Sequence, residues 1–513
     1  MSESKSVLKS ASLVSACTGA SRLLGFLRMW LMARVFGTSL VASAFFVAFS
    51  IPNLFRRLFG EGALSAAFVP VFTESIEKDG IEEANRLAGK VATMLAAAML
   101  CIIFAGLIFV TVWMERFELG PKAATVLPLL RIMLPYMFFI CMVALCMGIL
   151  NSRKHFFVPA ATPVLLNVIW IAMLLFVCPR FADDSIKQIT ALAWGIMAAG
   201  VVQLLIQVPV MLKHGIRLKI DFAWQDEKVK RVLLLMGPAA LGMGALQLNT
   251  ALGRVLAIIV DPQAPAALIY ADLIVYLPLG LFGTAWSTVL LPAFSSHSAR
   301  EEKDKMLATL SLGMRSIMFV LLPASVGLTV LSTTLIKGVF QGGMFNVEST
   351  VFTSRALAAF APGLLFFGMY KILVAVFYSL KDTKSPVVVA LLQVALNIVL
   401  MVAFIVLLPD GYKHAGIAFA SVLSFGLSCV HLCLLIHKKV GNPGWRDVLI
   451  SGTRSLTAAL VMGVTVFLLD RWLSGMSAFS GLARLFACVI AGILTYFLLA
   501  LVLCRRELSQ LRK

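Results

Sequence analysis

Three arginines lie inside the first apolar stretch of this chain: Arg22, Arg28 and Arg34, within SRLLGFLRMWLMARVFG. Two more, Arg56 and Arg57, follow in SIPNLFRRLFGEGA, with Glu61 close behind. A cation at the middle of a bilayer costs at least about 2.5–3.5 kcal/mol, so such residues persist where they face a water-filled cavity or a charged ligand. Steps of six residues turn a helix by a net ~240° each at about 100° per residue. The three arginines therefore spread around their helix. One or two of them are expected to line a cavity, and Arg34 to reach the interface. An anionic substrate is the simplest partner for such a set, because guanidinium grips paired oxygens bidentately.

The acids are fewer. Glu61 lies four residues beyond Arg57, which allows a helical ion pair or a cavity-facing role. Asp272 is an acid in an apolar helix; pairing with Arg254 of the neighbouring span or a response to protons would each explain it. Lys371 is open between pairing and function. Arg131, Arg315, Arg355, Arg454 and Arg484 are expected at the interface. No phosphate-binding loop, metal-ligand cluster or nucleophile–base set is present. Cys429 and Cys433 stand one turn apart without His or acidic company, which does not suit zinc. No catalytic residue, metal or cofactor is therefore expected. ATP-driven transport and a Mg²⁺-dependent membrane transferase are disfavoured.

The elements that position these residues are membrane helices. The chain has 513 residues, 60% hydrophobic and 13% charged, with a mean hydropathy of +0.95. That composition defines an all-α polytopic membrane protein. The net charge of +19 would suggest nucleic acid in a soluble protein. Here it reads as loop charge, and no nucleic acid is expected. The N-terminus lacks a clean apolar stretch ending in a small-residue cleavage site, so no cleaved signal peptide is expected.

Apolar runs of spanning length occur at about 14 places, near 11–36, 41–74, 87–114, 123–150, 157–178, 188–212, 232–260, 265–296, 306–336, 350–380, 385–408, 414–437, 447–469 and 480–504. Alternate loops carry 25 Lys and Arg on one side against 7 on the other. By the positive-inside rule, both termini are cytoplasmic.

The chain also repeats itself. IPNLFRRLFGEGALSAAFVPVF in span 2 matches LPLGLFGTAWSTVLLPAF in span 8, with Pro52 on Pro278 and Pro70 on Pro292. NSRKHFFVPAATPVLLN after span 4 matches SLKDTKSPVVVALLQVALN after span 10; Lys154 precedes Pro159 by five residues, as Lys381 precedes Pro386. Spans 1–6 and 7–12 thus form two six-helix lobes related by a pseudo-two-fold axis along the membrane normal, with two extra C-terminal helices. The expected domains are 1–213, 214–439 and 440–513. Positive charge is concentrated in the first copy.

These same stretches carry a resemblance. SRLLGFLRMWLMARVFG, SAFFVAFSIPNLFRRLFGEGALSAAFVPVF, MGILNSRKHFFVPAATPVLLN, LIYADLIVYLPLGLFGTAWSTVLLP and KHAGIAFASVLS resemble the MurJ (MviN) lipid II flippases, of the multidrug/oligosaccharidyl-lipid/polysaccharide exporter superfamily, over nearly the whole chain. The resemblance implies a bacterial inner-membrane protein that moves lipid II, the undecaprenyl-diphosphate disaccharide-pentapeptide precursor of peptidoglycan, by alternating access. It implies diphosphate contacts at Arg22, Arg28 and Arg56, a polyprenyl groove formed with spans 13–14, surrounding membrane lipids and a monomer. The chain departs from the family at two places. Ser43 stands where many relatives have Asp, and Leu273 follows Asp272 where many have Arg. Arg254 is positioned to compensate for that missing cation, whereas the Gly253 before it, an acid in relatives with a sodium site, argues against bound sodium. The candidate substrate-binding set is Arg22, Arg28, Arg56, Arg254, Asp272, Glu61 and Ser43. A flippase for another polyprenyl-diphosphate saccharide is the neighbouring alternative. A multidrug cation antiporter fits less well, since it would want acids where this cavity has arginines.

Overall fold

A computed structural model describes residues 2–60, 63–476, 481–505, 507 and 508. Among these residues no strand forms beyond one isolated bridge between Gly342 and Phe345. In chain order the α-helices are α1 (Ser2–Phe36), α2 (Leu40–Gly60), α3 (Ala63–Asp79), α4 (Ile81–Arg116), α5 (Pro121–Met133), α6 (Tyr136–Ser152), α7 (Phe157–Ala172), α8 (Ser185–Lys213), α9 (Glu227–Val260) and α10 (Ala264–Pro278). They continue as α11 (Thr284–Ala299), α12 (Lys303–Val330), α13 (Ser332–Phe340), α14 (Val347–Phe360), α15 (Gly363–Ser379), α16 (Lys384–Leu407), α17 (Lys413–Lys439), α18 (Trp445–Ser474) and α19 (Gly481–Leu503).

Among the described residues, nine helices are long and apolar enough to cross a membrane, or eleven when two bent pairs each count as one span. These fall on the expected spans 3–6 and 8–14. Expected spans 1, 2 and 7 fall on α1, on α2 with α3, and on α9. Among the described residues, length and apolarity alone therefore reach eleven of the fourteen expected spans. The arginines of α1 and α2 dilute the apolar signal by which spans are recognised.

The two bent pairs have one cause. α5 and α6 meet at 42° where Pro135 follows Leu134, and α14 and α15 meet at 41° where Pro362 follows Ala361. Proline removes a backbone donor and its ring clashes with the preceding turn. The bends lie in spans 4 and 10, which the internal repeat makes equivalent. Elsewhere side-chain caps start the helices: Asp184 accepts from the Ile186 and Lys187 amides at the head of α8, and Asp226 from the Lys228 and Val229 amides at the head of α9.

Packing divides the chain into two compact units, Met1–Pro265 and Ala266–Lys513. In the first, α1 packs on α7, and α2 on α5, α6 and α9; α3 lies on α4 and α9. The repeat counts α9 as the first helix of its second copy, whereas packing groups it with the first unit. Polar ties account for this: Arg57 donates to Gln247 at 3.1 Å, Lys228 meets Asp79 at 2.8 Å and Arg231 meets Glu74 at 2.9 Å.

In the second unit, α12 packs on α15 and α18, α16 on α17, and α18 on α19. Arg484, expected at the interface, instead donates bidentately to Asp470 at 2.7 Å from both nitrogens. Thr334 on α13 donates to the same carboxylate at 2.9 Å. The Tyr496 hydroxyl donates to the Phe319 carbonyl at 2.7 Å and ties α19 to α12.

Candidate functional site

Arg28 is held from two sides. Its Nη1 donates to Asn167 Oδ1 at 3.0 Å, and Asn167 Nδ2 in turn donates to the Ser21 carbonyl at 3.0 Å. Its guanidinium carbon lies 4.2 Å from the ring centroid of Trp170. That geometry places a cation over an aromatic face. Trp170 is fixed edge-on by Phe45 and Phe49, at 5.2 and 5.3 Å between centroids. Tyr136 is fully buried and packs on Phe49 at 6.1 Å. Its ring needs Gly200 on α8, where a Cβ would come within 2.7 Å of Tyr136 Cδ2.

This cluster has more donors than acceptors. Arg28 Nε, the Tyr136 hydroxyl and Trp170 Nε1 are all buried without a partner. Tyr136 is also within electrostatic reach of both Arg28 and Arg56. A buried donor left unmade costs about 1–3 kcal/mol. Such a group of donors beside a cation is suited to the oxygens of an anion.

The other candidates occupy different surroundings. Arg56 Nε donates to Asn53 Oδ1 at 2.8 Å, one turn earlier on α2. Arg57 turns toward α9, where with Arg254 it lines a small cavity that also includes Ser50, Asn53, Gln247 and Thr250. Arg22 is exposed and lines a separate cavity of about 500 Å³ between α1, α6 and α7, beside Thr18, Ser21 and Asn151. Arg34 is exposed at the end of α1, its guanidinium carbon 4.6 Å from the Trp30 centroid. Ser43 is fully buried in α2, so its side chain reaches no open surface. Asp272 is half-buried in α10, in the second unit. Glu61 lies outside the described residues.

The structure thus joins Arg28 and Arg56 around one tyrosine and Arg57 and Arg254 around one cavity, and sets Arg22 in a second cavity. Asn53, Tyr136, Asn167, Trp170 and Gln247 escaped the sequence reading. Asn167, a polar residue within PVLLNVIW, carried a usable signal. Tyr136 and Trp170 carried none, since buried aromatics are ordinary core. Among the described residues no group of three or more His, Cys, Asp or Glu could hold a metal ion.

Membrane-crossing helices in two packed units define a polytopic membrane protein of transporter class. The fold is shared with a solved multidrug resistance MATE family transporter of the MOP superfamily in an inward-facing conformation, at a TM-score of 0.69 and 12% identity over 82% of this chain and 94% of that one. That likeness speaks for the fold alone. A solved lipid II flippase MurJ in an inward closed conformation superposes at a TM-score of 0.79 with 25% identity, over 97% of this chain and 99% of that one. The probable lipid II flippase MurJ of Rhizobium tropici is 34% identical, over 99% of this chain and 96% of its own length. The family profile described as "Lipid II flippase MurJ" matches residues 32–487. This chain belongs to the lipid II flippase MurJ family.

Proposed function

We propose that this protein moves lipid II from the cytoplasmic to the periplasmic leaflet of the bacterial inner membrane, by alternating access and without covalent change. One observation carries the reading: Arg28 Nε, the Tyr136 hydroxyl and Trp170 Nε1 are buried donors without the acceptors that a diphosphate supplies, and Arg56 lies within electrostatic reach of Tyr136. In this reading Arg28 and Arg56 grip the diphosphate, and Arg22 receives the head group in the larger cavity. Arg254 supplies a further cation beside Arg57, while Asp272 and Glu61 balance the positive charge. Ser43 acts only through the packing of α2.

The protein works as a monomer with both termini in the cytoplasm, in lobes 1–213 and 214–439, and residues 440–513 complete a groove for the polyprenyl tail. The lobe division rests on the sequence repeat, and the orientation on the 25-to-7 loop charge. The deciding experiment is depletion in the native host followed by measurement of lipid II sidedness. Cytoplasmic-leaflet lipid II should accumulate on depletion and clear on re-expression. Unchanged sidedness would overturn the assignment.

A further inference from the structure

The segment joining α8 to α9, GIRLKIDFAWQD at 215–226, is bound backbone-first to one face of α4. Asn85 Nδ2 donates to the Gly215 carbonyl at 2.8 Å, and the Asp221 amide donates to Thr93 Oγ1 at 3.0 Å. Between them lies Gly89, where any Cβ would fall 2.4 Å from the Lys219 carbonyl oxygen. Positions 85, 89 and 93 share a helix face. Lys90 closes the segment with an ion pair to Asp226 at 2.7 Å.

α4 also gives the depth of this segment. Near its other end, the exposed rings of Phe109, Trp113 and Phe117 pack in a tilted row at 5.4 and 4.8 Å between centroids. Trp and its neighbours mark a membrane interface. A hydrocarbon core of about 30 Å corresponds to about 20 residues at 1.5 Å each. Counting back from Trp113 places the opposite boundary at Thr93, the residue that binds Asp221.

At that boundary the segment turns three large apolar side chains outward. Ile220, Phe222 and Trp224 are 83%, 69% and 70% exposed, in a stretch with neither helix nor strand. Ile220 and Phe222 stand two apart in the extended part, and Trp224 follows in a tight turn in which its amide donates to the Phe222 carbonyl at 2.7 Å. Around them, Arg217, Lys219 and Lys230 are exposed and make no ion pair among the described residues. Lys90, Lys228 and Arg231 are already taken by Asp226, Asp79 and Glu74.

We propose that residues 217–230 are an interfacial anchor for anionic phospholipid in the leaflet on the side of the basic loops. Ile220, Phe222 and Trp224 enter the boundary between head groups and acyl chains, and Arg217, Lys219 and Lys230 hold lipid phosphates. Apolar rings at the interface together with free cations are the combination that binds an anionic leaflet. The anchor sets the depth at which α9 begins, because Asp226 caps that helix. It is independent of what the protein transports.

The test uses the full chain in phosphatidylcholine vesicles with and without phosphatidylglycerol. The chain has eight tryptophans, so the Trp224 signal is read as wild type minus W224F. That difference should be blue-shifted and quenched by lipids brominated near the glycerol end. Quenching should be several-fold stronger when the bromines are on phosphatidylglycerol. The R217Q/K219Q/K230Q variant keeps the reporter and should retain the quenching while losing most of the anionic preference. A Trp224 signal that is quenched by aqueous acrylamide and untouched by brominated lipid would overturn the anchor. Equal quenching from both lipids would overturn its anionic specificity. Photocrosslinking from position 224 to a soluble protein instead of lipid would overturn the lipid assignment.

Discussion

Lys154 and Lys381 share one backbone conformation at the ends of two different helices: each has φ of 59°. After each, the next amide reaches back five residues, His155 to the Leu150 carbonyl and Asp382 to the Phe377 carbonyl, both at 2.9 Å. This is the left-handed helix stop usually built with glycine. A lysine there accepts steric strain, and it places a cation in sequence at the C-terminal end of the helix, where positive charge is favoured. Both lysines precede a proline by five residues, so the internal repeat is written into the backbone as well as the sequence.

The first prediction follows from that conformation. Replacing Lys154 or Lys381 with Gly should leave thermal stability close to wild type. Ile at either site should destabilise by about 1–2 kcal/mol, since β-branched residues fit the left-handed region worst. Thermal unfolding in detergent reads the difference. Equal effects of Gly and Ile would contradict it.

The second concerns the donor cluster. Arg28→Ala and Arg56→Ala should abolish complementation of a flippase-depleted cell with the protein still in the membrane, and Arg22→Ala should do the same. Lys should rescue only partly, because ammonium does not grip oxygens bidentately. Tyr136→Phe should be milder and weaken binding by about 1 kcal/mol, the worth of one hydrogen bond. Wild-type growth with all three Ala variants at native expression would refute a substrate role.

A third tests compensation by Arg254. Arg254→Ala should strongly impair flipping, since it removes the cation that shares a cavity with Arg57. Leu273→Arg in that background should partly restore it. Unchanged flipping in Arg254→Ala would leave the role to Arg22, Arg28 and Arg56.

The fourth concerns pH. The Asp382 carboxylate accepts from Lys439, and also from the Ser385 hydroxyl and amide, at 2.7 and 3.0 Å. The Lys439 ammonium comes first among the causes that hold this carboxyl well below its ordinary value of 3.8. A depressed carboxylate stabilises the fold above its unfolded value and loses that contribution as pH falls below it. Stability should therefore be level near neutrality and fall below pH ~4. Asp382→Asn should be less stable at neutral pH and flatter on the acid side. An identical acid profile for the two proteins would rule this pair out.

Topology gives the last prediction. In a cysteine-free background, single cysteines at Arg116 or Lys413 should label from outside the cell, and one at Arg217 only after permeabilisation. The reverse pattern would invert the orientation.

Much of the fold was legible in the sequence because membrane spans declare themselves by length and apolarity, and repeats by matched prolines. The eleven apolar spans among the described residues follow from length and composition, whereas the bend at Pro362 was not read from the sequence. The arginines were visible for the same reason, since charge inside an apolar run is expensive. What each arginine does was decided only by packing. Arg56 and Arg57 are neighbours in sequence, yet one bonds Asn53 on its own helix and the other Gln247 on α9. Asn167 lies 139 positions from the Arg28 it holds, and no periodicity relates them. The placement of α9 with the first packing unit was likewise beyond the repeat, because ion pairs across distant segments set it. Local patterns specify helices and their depth; the donors that converge on one site come from helices far apart in the chain, and only the folded structure brings them together.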